Sequence, residues 1–276
     1  MLVAQERRFA VGVIGVGNMG AALVRGIVEQ ETLPSQSVVV CDLDQGRVDV
    51  LCEDLGVSDG GDAMQVASSA DLVVLAAKPQ NLSALLNGIS GSISSDQTIM
   101  SIAAGVTTES IEASLGGKPS VIRVMPNLPA LVGEGISVLC GGSHSTELDF
   151  GRVEEVLGSV GVCLKAPEKL MDPVTALSGT GPAYVFHTME AMIESGVEMG
   201  MSSEMAERLV LQTVFGSALL AIESDLDPSS LREAVTSRGG TTDAAISHLE
   251  ENDYTKLVVE AILAARNRSK ELGRSP

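Results

Sequence analysis

The apolar positions of this chain change their period once, and the change divides it in two. In the first half, short aliphatic and β-branched runs recur: Ala10-Val-Gly-Val-Ile14, Val38-Val-Val-Cys41, Leu72-Val-Val-Leu-Ala76, Thr98-Ile-Met-Ser-Ile102, Val121-Ile-Arg-Val124 and Gly135-Ile-Ser-Val-Leu139. Such runs fit strands covered on both faces. Amphipathic stretches lie between them. The first, Asn18 to Gln30, sets Ala21, Ala22, Val24, Ile27 and Val28 at helical spacing. Strands alternating with helices predict an α/β domain, a mostly parallel sheet with helices on both faces.

Near Ala166-Pro167 the pattern becomes almost wholly helical. Ala183 to Met199 predicts one long helix and Ser203 to Glu223 a second. In the second, Met205, Leu209, Val210, Val214, Phe215, Ala218, Leu219 and Ile222 cover much of the circumference. A helix apolar nearly all round is a buried helix, and in a chain of 276 residues the expected cover is another subunit. The boundary is expected near residue 165, giving domains 1–165 and 166–276.

Composition narrows the partners. Hydrophobic residues make up 45% but aromatics only 2%, so the core is expected to be aliphatic. The formal charge of −18 argues against the anionic surfaces of nucleic acid and membrane. No stretch is expected to span a bilayer, because none reaches the ~18 consecutive apolar residues required. Met1 to Phe9 carry charge and lack the apolar run of a signal peptide. Cys41 and Cys163 lie in apolar runs, and all four cysteines read as reduced, buried thiols of a cytoplasmic protein. The three histidines are scattered, and no metal site is expected.

Five segments carry candidate chemistry. Gly15-Val-Gly17-Asn-Met-Gly20 follows a strand and opens a helix, the context that gives a G-x-G-x-x-G pattern meaning. Gly15 suits the tight turn, Gly17 the approach of a pyrophosphate, and Gly20 close helix–strand packing. An ordinary glycine-rich turn is the alternative. Asp42, at the end of the second strand, stands where an acid meets the adenosine ribose; it favours a free 2′-hydroxyl over a 2′-phosphate. Asp44 adds to that repulsion, Arg47 opposes it, and a solvated loop acid is the other possibility. Ala76-Ala77-Lys78-Pro79 and Ile102-Ala103-Ala104-Gly105 sit at carboxyl ends of strands, where ligands bind in such sheets. A surface lysine and simple packing remain open for them. The run Asp172-Pro-Val-Thr-Ala-Leu-Ser178-Gly-Thr-Gly-Pro-Ala-Tyr184 precedes a long helix. Gly239-Gly240-Thr241-Thr242 exposes backbone N–H groups before another, either as a seat for a carboxylate or as a plain Thr cap.

Together these segments resemble pyrroline-5-carboxylate reductases over nearly the whole chain. The matching segments are Ile14 to Met19, the Ala-Lys-Pro turn, Ser101-Ile-Ala-Ala-Gly-Val106, Arg123-Val-Met-Pro-Asn127, Val174 to Tyr184, Gly239 to Thr242, Leu249-Glu250 and Arg268-Ser-Lys-Glu-Leu272. The resemblance implies a Rossmann-type, doubly wound N-terminal domain followed by an all-helical dimerisation domain. It implies homodimers, which in the family often build decamers. It places NADPH or NADH along Ile14, Gly15, Val16, Gly17, Asn18 and Met19, along Ala76 to Pro79, and along Ile102, Ala103 and Ala104, with Asp42 leaning toward NADH. It places the imine acid between that cofactor and the helical domain, its carboxylate on Gly240, Thr241 and Thr242, with Glu168 and Ser178 as further substrate residues. Two positions depart from the family: Arg238 replaces a usual Pro, and Thr180 a usual Ser.

The implied reaction asks little of acid–base side chains, because a protonated cyclic imine already accepts hydride. The protein must hold the imine carbon against the nicotinamide, and Thr242 is expected to orient the ring nitrogen. A related dehydrogenase of the same build, acting on a hydroxy acid or another imine, would generally need an acid–base lysine in its helical half. Lys169, Lys256 and Lys270, with Lys165 at the border, lie outside the motifs. A dinucleotide-binding sensor without turnover would not need the loop from Gly239 to Thr242.

Overall fold

In the computed structural model, residues 9–117 and 119–273 are described. The stretch before Phe9, read above for a targeting segment, lies outside them. The strands are β1 (Phe9–Ile14), β2 (Val38–Cys41), β3 (Ser58–Asp59), β4 (Ala70–Leu75), β5 (Thr98–Ser101), β6 (Ser120–Met125), β7 (Gly135–Gly141) and β8 (Gly161–Lys165). They form one sheet in the order β3-β2-β1-β4-β5-β6-β7-β8. Every neighbouring pair is parallel except β6 and β7, which the short 3-10 turn Leu128–Val132 joins antiparallel. The helices interleaved with them are α1 (Asn18–Glu29), α2 (Gln45–Leu55), α3 (Ala63–Ser69), α4 (Pro79–Ile89), α5 (Thr108–Ser114) and α6 (Glu147–Gly158).

Successive strand side chains point to opposite faces, and the two faces are packed separately. On one, Val11 and Val13 of β1 meet Leu23, Val24 and Ile27 of α1, Leu51 of α2 and Leu157 of α6. On the other, Ile14 meets Val73 and Leu75 of β4, Leu82, Leu86 and Ile89 of α4 and Ile111 of α5. The topology turns outward in both directions from β1 and β4. That is the switch point at which ligands bind on the carboxyl edge of an open sheet.

Two strands escape the sequence pattern. β3 is two polar residues long, too short to carry a period. β8 reverses the usual sense: Val162 and Leu164 are exposed while Cys163 packs toward the first core. Cys163 is therefore half-buried, like Cys52, and not fully buried as expected; Cys41 and Cys140 are buried. All four are free thiols, and burial pushes the Cys41 thiol up to about 12.

The chain divides into two compact units: Met1–Thr180 with Ala265–Pro276, and Gly181–Ala264. The first unit runs past residue 165 because α7 (Met171–Val174) belongs to its core. Met171 is wholly buried and packs on Val138 and Cys140 of β7. A π-helical turn follows at Thr175–Gly179. The second unit holds α8 (Gly181–Glu198), α9 (Ser203–Glu223), α10 (Pro228–Ala234), α11 (Thr241–Glu251) and the start of α12 (Tyr254–Leu272). The end of α12 returns to the first unit, where Ser269 Oγ donates to Asp172 Oδ1 at 2.7 Å.

Helix α9 bears on two expectations, and the cover expected from another subunit is not supplied by its own chain. In the single chain only Ala206 and Val210 are buried, while Leu209, Phe215, Leu219, Leu220 and Ile222 are exposed. By length and composition alone the helix is also long and apolar enough to cross a membrane. A count of consecutive apolar residues missed this because Glu207, Arg208, Gln212, Thr213 and Ser217 interrupt the run.

Candidate active site

At Gly15 and Gly20 the glycine loop is built by contacts that leave no room for side chains. Gly15 has φ +98°, and its N–H donates to Cys41 O at 2.8 Å. A Cβ on Gly20 would lie 2.0 Å from Gly15 O, so α1 reaches β1 only because residue 20 is glycine. Gly17 is the N-cap of α1. A Cβ there would meet only Arg47 Nη1, at 3.4 Å. The helix thus opens beneath a bare backbone, whose first-turn N–H groups have no partners within the helix. That cradle fits a dinucleotide pyrophosphate. Asn18 is exposed at its rim, whereas Val16 points into the core.

Asp42 braces this loop. Its Oδ2 accepts the Val16 N–H at 2.7 Å, and its Oδ1 accepts the Asp44 N–H at 3.0 Å. A loop acid that only faced solvent would not make the bond to Val16 in the glycine turn. Arg47, the opposing charge, pairs with Asp44 at 3.2 Å and overhangs Gly17.

The next two segments close the same edge. Ala76 N–H donates to Ile14 O at 2.9 Å, and Ile102 N–H to Leu75 O at 3.1 Å, so the turns after β1, β4 and β5 are stitched side by side. Lys78 is the exposed N-cap of α4 and Pro79 its first residue, a position where proline forfeits no hydrogen bond. Ala77 and Ala104 are half-buried. Ala103 turns its methyl into the core, so only its backbone faces the turn.

Glu168 lies on the first unit, just beyond β8, with its side chain about a third exposed (34%). Its Oε1 accepts from Arg123 Nη1. Its Oε2 accepts from Thr108 Oγ1 at 3.0 Å and Cys140 Sγ at 3.4 Å. Burial alone would raise this carboxyl; the hydrogen bond and charge of Arg123 overcome burial and hold it below the usual carboxylate range. Sequence reasoning placed Arg123 in a matching run but assigned no site role to it, to Thr108 or to Cys140. A lone arginine inside an apolar strand was the available signal. Ser178 sits in the π-helical turn, and its Oγ is buried with no hydrogen-bond partner among the described residues. Thr180 Oγ1 donates to Thr175 O at 3.0 Å, a bond that needs only a hydroxyl.

On the second unit the loop before α11 is not closed by a threonine cap. Its N-cap is Gly240, not a threonine, and Thr241 and Thr242 already belong to the first turn. Gly239, at φ +73°, donates its N–H to Asp243 Oδ2 at 2.8 Å. A Cβ on Gly240 would lie 2.5 Å from Ser237 Oγ. Thr242 is half-buried; Thr241 and Arg238 are exposed.

Known proteins share this combination of sheet, loops and helical second half. A family model described as pyrroline-5-carboxylate reductase dimerisation matches residues 168–272, and one described as NADP oxidoreductase, coenzyme F420-dependent, matches residues 10–105. A pyrroline-5-carboxylate reductase of Methanosarcina acetivorans is 37% identical over 264 residues, which are 96% of this chain and 98% of the relative. The chain belongs to the pyrroline-5-carboxylate reductase family. Its likeness to solved structures in that family spans both units. The enzyme of Coxiella burnetii is 34% identical, with a TM-score of 0.90 over 98% of this chain and 100% of that one. The enzyme of Plasmodium falciparum, solved with NADP bound, is 31% identical, with a TM-score of 0.87 over 98% and 100%.

Proposed function

We propose that this chain reduces 1-pyrroline-5-carboxylate to L-proline with NADPH or NADH. The observation that carries the reading is the pair of glycine-built anion seats on a chain of this family: the α1 terminus at Gly17 and the α11 terminus at Gly240. The first suits the cofactor pyrophosphate and the second the substrate carboxylate. Residues 1–165 then act as the dinucleotide-binding domain and residues 166–276 as the dimerisation and substrate domain.

The reduced nicotinamide supplies the hydride. The protein's part is binding and orientation. Ile14 to Met19, Ala76 to Pro79 and Ile102 to Ala104 line the cofactor. The N–H groups of Thr241 and Thr242 hold the carboxylate. The Thr242 hydroxyl aligns the ring nitrogen without exchanging its proton, while Glu168 and Ser178 complete the substrate contacts. Asp42, already fixed by Val16 and Asp44, accepts from the ribose hydroxyls, so NADH serves at least as well as NADPH.

Helix α9 is read as a subunit interface, since its exposed leucines and Phe215 fall within the matched dimerisation region. The assembly is then a homodimer, with further association to a decamer, working in the cytoplasm without nucleic-acid or membrane partners. The test is to follow oxidation of NADPH and of NADH on addition of pyrroline-5-carboxylate, with proline measured as product. Cofactor consumption matched by proline supports the reading; no consumption with either cofactor refutes it.

A further inference from the structure

Arg123 is an expensive residue where it stands. Its neighbours on β6, Ile122 and Val124, are aliphatic and wholly buried, and Arg123 itself is 4% exposed. A desolvated guanidinium costs several kcal/mol unless it is paired. Its Nη1 is paired with Glu168, but Nη2 has no partner among the described residues. Packing alone would be served better by valine. Three elements converge on the Glu168 carboxylate: β6 through Arg123, β7 through Cys140 and α5 through Thr108. Thr108 opens α5 directly after the turn that begins at Ile102. The carboxylate is thus bound by a residue that follows closely in sequence the segment assigned to the nicotinamide, and it keeps one side open.

We propose that Arg123 is a positioning residue, which holds Glu168 as a fixed anion so that the bound imine is kept in its protonated, hydride-accepting form. The inference rests on the reading of the chain as a pyrroline-5-carboxylate reductase. In the hydride step the new C–H bond forms at the imine carbon and the C=N π pair moves onto nitrogen. The nicotinamide is oxidised and the ring becomes a neutral amine. The proton is already on nitrogen, so Glu168 transfers none. An anion nearby raises the fraction of bound imine that carries this proton at neutral pH. The titratable groups facing Glu168 are Arg123 and Cys140; α5 presents the neutral Thr108. The Cys140 thiol, pushed up to about 12 by burial and by Glu168, remains a donor.

The test is the pH profile of kcat and kcat/KM for wild type, Glu168→Gln, Thr108→Val, Arg123→Met and Arg123→Lys. Loss of the anion in Glu168→Gln should move the basic limb of kcat down by about 1 pH unit or more, the size of shift an opposite charge produces. Arg123→Met should move the acid limb up by a similar amount, since the carboxylate then protonates more easily, and Arg123→Lys should restore most of the wild-type profile. Thr108→Val, which leaves the ion pair in place, should shift the acid limb the same way by less. If Arg123→Met does not fold, the Glu168 and Thr108 variants decide. Profiles that superimpose on wild type, with a uniform loss of rate, would reduce the pair to packing and overturn the inference while leaving the reductase intact. A wild type without turnover of pyrroline-5-carboxylate would overturn the parent reading and this inference together.

Discussion

At the scale of single residues, the proposed sites divide into groups that would bind through backbone and groups that would bind through side chains. The proposed α11 seat is mostly backbone, which an alanine substitution leaves in place. Thr242→Ala should therefore remove one side-chain hydrogen bond and lower kcat/KM by about 1–3 kcal/mol. Cofactor affinity should stay unchanged, because the glycine loop lies in the other unit. Gly240→Val should be worse, since its Cβ would collide with Ser237. Steady-state kinetics with a cofactor-binding measurement checks both; an unchanged kcat/KM in Thr242→Ala would make the loop a helix start and nothing more. Asp42 and Arg47 make the second residue-scale claim. Both are held, Asp42 by Val16 and Asp44, Arg47 by Asp44. Rates with the two cofactors at equal subsaturating concentration should favour NADH or be equal. A preference for NADPH of about tenfold, or 1.4 kcal/mol, would mean that Arg47 outweighs the carboxylate. Legibility divides along the same line. The glycine loop was readable because its chemistry is local. The Arg123–Glu168 pair was not, because its members stand 45 residues apart in sequence and one arginine in a strand run carries no period.

At the scale of elements, the glycines are not equivalent. Gly20 joins α1 to β1, and an added methyl would meet the carbonyl of Gly15. Gly20→Ala should destabilise the protein by about 1–3 kcal/mol, as overpacking does, and should weaken cofactor binding by tilting α1. Gly88, on the exposed face of α4, has nothing within 4 Å of its missing Cβ. Gly88→Ala should stabilise by roughly 0.5–1 kcal/mol. Denaturant unfolding of the two variants checks the contrast, and equal effects would contradict the contacts described. Strands with a clear apolar run were legible to within a residue or two, as β1 and β2 illustrate. β8 was not, because its apolar side chains face outward, and no local pattern announces that β7 runs antiparallel to β6. The helix after the Gly239–Gly240 pair was seen, but its start was placed late, since threonine was weighed as a cap and glycine serves instead.

At the scale of the molecule, the compact units part at Thr180 because Met171 is buried against β7, a contact that composition does not reveal. The change of pattern near residue 165 marks the end of the strands and not the end of the sheet's core. The apolar surface of α9 is the main whole-molecule feature left uncovered in the single chain, and exposed patches of this kind mark interaction surfaces. Leu219→Asp would place an unpaired charge in the proposed interface. Leu219 is exposed in the single chain (45%), so the subunit should stay folded. Sedimentation should show dissociation with circular dichroism unchanged, and a wild type that sediments as a monomer would refute the interface.

The central claim is the reaction, and one measurement tests it most directly. Purified protein is given reduced cofactor and pyrroline-5-carboxylate, and cofactor oxidised is compared with proline formed. The account predicts one proline for each cofactor oxidised, with little oxidation when the imine acid is left out. Oxidation without proline, or none at all with either cofactor, would contradict it.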